Sequence, residues 1–199
     1  MSGDGATWLI ALAPLAAIVL VGYVKIAVVL SVLRDALGRA VPPRSVAALL
    51  ALLLASFVMA PVLERAAPVP GASPAESAAR ADAPLREFLV AHTPDRERGS
   101  FLELARRLRP EADRAAVGER DLAVLAPAFV VAELKAAFQI GFLIYLPFLI
   151  LDLVIASLLT ALGMQRLDPR AVALPFKLLL FVLADGWNLL ARGLVLGYT

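Results

Sequence analysis

The sequence predicts an all-α fold of four main long, partly kinked apolar helices, and three observations carry that expectation. Of 199 residues, 61% are hydrophobic, well above the balance of a soluble domain. These residues fall into runs long enough to cross a bilayer core of roughly 30 Å. Short turns rich in glycine, proline and arginine separate the runs, together with one long polar insert.

Residues 8–33, WLIALAPLAAIVLVGYVKIAVVLSVL, form the first run, with Lys25 its only charge. The opening MSGDGATWLI carries an aspartate and no base, so this segment reads as retained. A cleaved leader ending near ALA at 11–13 is the weaker alternative, because the apolar stretch continues past it. Residues 34–45, RDALGRAVPPRS, read as a polar turn, with Ser45 placed to cap the next helix. The uncharged run VAALLALLLASFVMAPVL, residues 46–63, then completes an N-terminal helical hairpin over 1–63.

Residues 64–121 change character. Acids and arginines nearly balance, and APVPGASPAESAARADAP has the composition of a mobile linker, so the first half of this extramembrane insert is expected to be loosely ordered. Near 100–109, SFLELARRL sets Phe101, Leu104, Ala105 and Leu108 at helical spacing. Ser100 and Glu103 are placed as a capping box, which predicts a short amphipathic helix, packed on a surface in the favoured reading and lying on the membrane in the alternative.

Residues 122–162 are too long for one perpendicular span at about 1.5 Å per residue. A bend or break is expected at Gly141 or Pro147, giving either a helical hairpin or a kinked pair of half-helices within a C-terminal kinked hairpin over 122–199. GMQRLDPRA, residues 163–171, is a second basic turn before a last helix from about 172 to 198. The positive-inside rule places both short turns, with Arg34, Arg39 and Arg44 in one and Arg166 and Arg170 in the other, on the cytoplasmic side. The insert and both termini then lie outside.

Lys25, Glu133, Lys135, Asp152, Lys177 and Asp185 interrupt the apolar runs. Such groups face a partner, a bundle interior or water, because lipid exposure costs about 2.5–3.5 kcal/mol each on insertion scales. Snorkelling to the surface is the plainer alternative for Lys25 and Lys177. Glu133 and Lys135 lie about 200° apart around a helix, and Lys177 and Asp185 about 12 Å apart along one. Each therefore needs a partner elsewhere, a pattern suited to assembly with neighbouring chains.

Other chemistry is sparse. Without cysteine there is no disulfide and no Cys-based zinc or iron–sulfur site, and His92, in AHTPDRER, reads as an exposed loop residue. A net charge of +2 with no basic block marks no nucleic-acid face. No HExxH or GxSxG is present, so neither a catalytic, a cofactor nor a metal site is expected. A proton-coupled secondary transporter, with Asp152, Glu133 or Asp185 as relay, is the alternative class, although no internal repeat is visible.

The segments VKIAVVLSVLRDALGRAVPP, ALLLASFVMAPV, PLREFLVAHT, APAFVVAELKAAFQIGFLIYLPFLILDLVIASLLTALGM and LPFKLLLFVLADGWNLL resemble, in order, the SctR family of type III secretion export-gate subunits and its flagellar relative FliP. The resemblance covers nearly the whole chain outside 66–83. Its most specific parts are PAFVVAELKAAFQIGF and PFKLLLFVLADGW, which hold Pro127, Phe129, Phe138, Gly141, Pro175, Gly186 and Trp187.

What the resemblance implies is two helical hairpins that form a homopentamer and join the SctS and SctT subunits in a funnel-shaped gate. The SctU switch subunit and the SctV ring are expected nearby. Such a gate is inserted in the bacterial inner membrane, is lifted largely to the periplasmic side within the secretion basal body, and passes unfolded substrates without catalysis of its own. Lys25, Glu133, Lys135, Gln139, Lys177 and Asp185 then become expected contacts between subunits, with Glu133–Lys177 one pair to test and Asp185 with Trp187 organising the last helix. The short N-terminus and modest insert look more like the injectisome branch than the flagellar one. In the family, a loop similar to GMMM supplies a ring of methionines, whose soft side chains suit a gasket. Here Met164 matches while Gln165 and Arg166 replace the next two positions, which implies a more polar constriction.

Overall fold

Every regular element is helical in the computed structural model, which describes residues 4–38, 42–67 and 73–198. The order is α1 (Asp4–Ala36), α2 (Arg44–Ala66), α3 (Pro74–His92), α4 (Asp95–Arg107), a 3₁₀ turn (Glu111–Ala116), α5 (Leu122–Ala161), α6 (Pro169–Leu183) and α7 (Gly186–Leu196). Among the described residues, α2 and α5 are long and apolar enough to cross a membrane, and α6 with α7 qualify together as one broken span. Ser45 lies inside the first turn of α2 instead of ahead of it, so it is not the cap the sequence suggested.

The chain divides into two compact units, Met1–Val24 with Ala55–Lys135 and Lys25–Leu54 with Ala136–Thr199, so α1, α2 and α5 contribute residues to both. The first unit buries Ala55, Met59 and Val62 from α2, Ala81, Phe88 and Leu89 from α3, and Val124, Leu125, Ala128 and Phe129 from α5. Phe88 and Phe129 meet with ring centroids 5.9 Å apart, and His92 stacks on Phe88 at 4.2 Å. His92 thus ends a helix, half-buried, with Nδ1 2.8 Å from the Phe88 carbonyl, and is not a loop residue.

From residue 74 on, the expectation of a loosely ordered segment gives way to α3; residues 68–72, which it also covers, lie outside the described residues. Its start is the capping box that composition obscured, SPAE: the Ser73 amide donates to Glu76 Oε2 at 2.7 Å, and the Glu76 amide donates to Ser73 Oγ at 3.3 Å. Pro74 at the first helical position adds a preset φ and forfeits only an amide that would be unpaired anyway. The bonds from Ser73, its backbone amide first and its hydroxyl second, hold the Glu76 carboxyl below its usual value.

The predicted amphipathic helix exists as α4 but starts earlier. Ser100 sits mid-helix, donating to the Arg96 carbonyl at 2.9 Å, and Glu103 pairs with Arg107 at 2.5 Å, so neither caps the helix. Its surface packing is partial. Phe101, Leu102 and Ala105 are half-buried while Leu104 and Leu108 face outward.

Two corrections concern the long apolar blocks. Residues 122–161 are one continuous 40-residue helix with no break at Gly141 or Pro147. Gly141 serves close approach instead: a Cβ there would lie 3.1–3.2 Å from three atoms of Val32 on α1. Proline at 147 removes one helical donor, and the helical bonding continues past it. The break falls later, inside what reads as the last helix, where α6 and α7 are bent by 60°. Asp185 at the corner adopts φ 49°, ψ 46°, the one positive φ among the described non-glycine residues. Gly186 follows because a Cβ would fall inside the Phe181 ring, and Trp187 sets its ring edge-on to Phe181 at 5.2 Å and 88°.

Candidate functional site

The second unit answers one of the misplaced charges directly. Lys177, in the third turn of α6 and 7% exposed, donates from Nζ to Asp152 Oδ2 on α5 at 2.7 Å and to the Ala36 carbonyl at 2.9 Å. Ala36 ends α1, where carbonyls lack helical partners and the macrodipole is negative. One ammonium therefore neutralises a carboxylate and caps a helix, tying three segments. Burial of this pair makes it costly to break on one side: loss of either partner leaves an uncompensated charge, at about 3–5 kcal/mol.

Lys25 is held differently. It is 3% exposed, with Nζ 3.4 Å from the Tyr198 ring centroid, a cation–π contact strengthened by exclusion of water. Neither lysine snorkels to the surface. Glu133, in the first unit, is also buried at 4%. Lys135, two residues on, is exposed and reaches Glu97 of α4 at 3.3 Å, a bridge between helices in a solvated setting where such pairs contribute at most about 1 kcal/mol.

The remaining predicted positions scatter. Gln139 and Phe138 point outward from α5, whereas Phe129 is fully buried and Pro127 half-buried. Pro175 lies inside α6 with its ring exposed. Asp185 is exposed and accepts a 2.9 Å bond from Asn188 Nδ2, so it organises the corner with Gly186 and Trp187, without reaching Lys177. Met164, Gln165 and Arg166 form an exposed turn after α5, which Gly163 enters at φ 70° and the Met164 amide closes on the Leu159 carbonyl at 2.8 Å.

Sequence reasoning counted Asp152 among the charges that need a partner but not among the expected contacts between subunits, and it did not single out Tyr198 at all. The signal for Asp152 was present: it is an acid in the α5 apolar run with no base within one helical turn of it. Nothing in the sequence singles out Tyr198, whose partner lies at the other end of the chain.

A family model described as FliP family matches residues 7–194. The hypersensitivity response secretion protein HrcR of Ralstonia nicotianae is 48% identical across 95% of this chain and 93% of its own length. The virulence protein YscR of Salmonella typhimurium is 41% identical across 98% of this chain and 95% of its own. The flagellar biosynthetic protein FliP of Caulobacter vibrioides is 40% identical across 96% of this chain and 73% of its own.

Proposed function

Since the chain belongs to the FliP family, we propose that it is a structural subunit of a type III secretion export gate, building with copies of itself and with SctS and SctT the entry pore for unfolded substrates. The observation that carries this reading is similarity along almost the entire chain to proteins named for secretion and translocation. Identity of 48% to HrcR and 41% to YscR, against 40% to the Caulobacter flagellar relative, supports the injectisome branch.

The surface supports assembly. Phe57, Phe138, Phe142, Leu143 and Leu162 are each more than 60% exposed, apolar area that lipid covers on insertion and neighbouring subunits cover in a finished gate. The buried lysines and Glu133 would then leave the bilayer with the subunit, which removes the lipid cost of any charge near an interface. The Met164–Arg166 turn is the proposed pore loop, with Met164 as gasket and Arg166 a polar ring beside it.

Native mass measurement in mild detergent tests the reading. A ring of identical subunits, extended by two smaller partner types, is the expected result; a chain that stays monomeric or dimeric when expressed with its neighbours would overturn it.

A further inference from the structure

Within the first unit, a hollow of about 340 Å³ lies between α4 and the 3₁₀ turn, lined by Gly99, Leu102, Glu103, Arg106, Arg107 and Arg114. Arg107 is answered there by Glu103. The other two guanidiniums are pinned by neutral acceptors: Arg106 Nη2 donates to the Val117 carbonyl at 3.2 Å, and Arg114 Nε to the Arg109 carbonyl at 3.2 Å. Neither forms an ion pair among the described residues, and Glu111 and Asp113 on the same 3₁₀ turn pair with neither. Arg106 and Arg107 suit the negative end of the α4 dipole, but Arg114 adds a third cation with no such reason. Most N–H donors of Arg106 and Arg114 are thus left for solvent or a ligand. Gly99, inside α4, keeps the hollow open. Glycine destabilises a helix interior relative to alanine, and a Cβ here would meet nothing within 4 Å, so packing does not explain it.

We infer that this hollow receives an aspartate or glutamate side chain from a second polypeptide, whose carboxylate accepts from Arg106 and Arg114. The inference rests on the reading of the chain as one subunit of a multi-chain complex. Charge complementarity selects an anion, and the planar fork of a guanidinium matches a carboxylate. The volume, at the low end of ordinary ligand sites, fits one side chain. Position favours protein over a lipid phosphate. At about 1.5 Å per residue the 40 residues of α5 run roughly 60 Å, twice the hydrocarbon thickness, so part of it stands clear of a bilayer. Its N-terminal part is the one packed against the charged α3 and α4, through Phe88 on Phe129 and Glu97 on Lys135.

The test uses Arg106→Lys and, separately, Arg114→Lys in the full chain, in cells that assemble the complete complex from mixed light and heavy copies of this protein. Both positions are exposed and both changes keep the charge, so neither threatens the fold. A water-soluble carbodiimide then condenses the new amine with a touching carboxylate to an amide, taking up the water as its urea. The expected product is a peptide of a second chain joined through an aspartate or glutamate, the isotope pattern telling another copy from a different subunit. Gly99→Leu, which fills the hollow without a clash inside the chain, should lower that yield roughly tenfold, the loss of one charge-assisted hydrogen bond. Coupling confined to the same chain's own acids, or a yield unmoved by Gly99→Leu, overturns the inference and leaves the subunit reading standing when the native mass is normal. So does the absence of any second-chain peptide, the result a lipid phosphodiester in the hollow would give. Failure of the unaltered chain to form any complex overturns both.

Discussion

At the residue scale the Lys177–Asp152 pair is the most exacting feature. Lys177→Met and Asp152→Asn should each destabilise the chain by about 3–5 kcal/mol, read from denaturant unfolding in detergent, while the double change to Met and Leu should recover most of that loss. Recovery would fail if the pair were held mainly by what it contacts outside this chain. Asp185 offers a separate check: Asp185→Asn should stay within about 0.5 kcal/mol, because asparagine tolerates the left-handed region, whereas Asp185→Val should cost about 1–3 kcal/mol from backbone strain. The charges were legible in the sequence, and so was their need for partners. Their pairing was not, because helical spacing excludes partners on one helix but cannot say which residue across a turn, such as Asp152 for Lys177, will meet them.

At the scale of elements, composition located the apolar helices well and their internal breaks badly. Glycine and proline were read as breakers at 141 and 147, yet Gly141 is a contact point and the real corner is set by Phe181, Gly186 and Trp187, whose aromatic packing has no periodic signature. Gly141→Ala gains up to about 1 kcal/mol of helix propensity but presses on Val32, a β-branched side chain with little freedom to yield. Contact should win, so that Gly141→Ala lowers the unfolding midpoint and Val32→Ala restores it in combination. In the insert, alanine and proline bias hid a helix whose start depends on one serine and one glutamate. Because Glu76 is held below its ordinary value, its contribution to α3 is complete above the unfolded carboxylate range and is lost as pH falls through the lower folded value. Amide exchange near Ser77 should accelerate over that acid window, and Glu76→Gln should flatten the response.

At the scale of the whole molecule, the proposed export-gate reading has other subunits cover the exposed aromatic and aliphatic side chains and the exposed Met164 turn. In an assembled gate, Met164→Ala should raise ion leakage in planar-bilayer conductance, and unchanged conductance would remove Met164 as a seal. A last consequence concerns synthesis. The end of α1 is capped by Lys177, 141 residues further along the chain. At about 5–20 residues per second a ribosome takes roughly 7–28 s to supply that lysine. Through this interval the first helix waits with its Ala36 carbonyl lacking that donor, so its end must stay at a watery boundary until the C-terminal helices arrive. Nascent chains stalled before residue 177 should therefore show a protease-sensitive Ala36 region that becomes protected only once α6 has emerged.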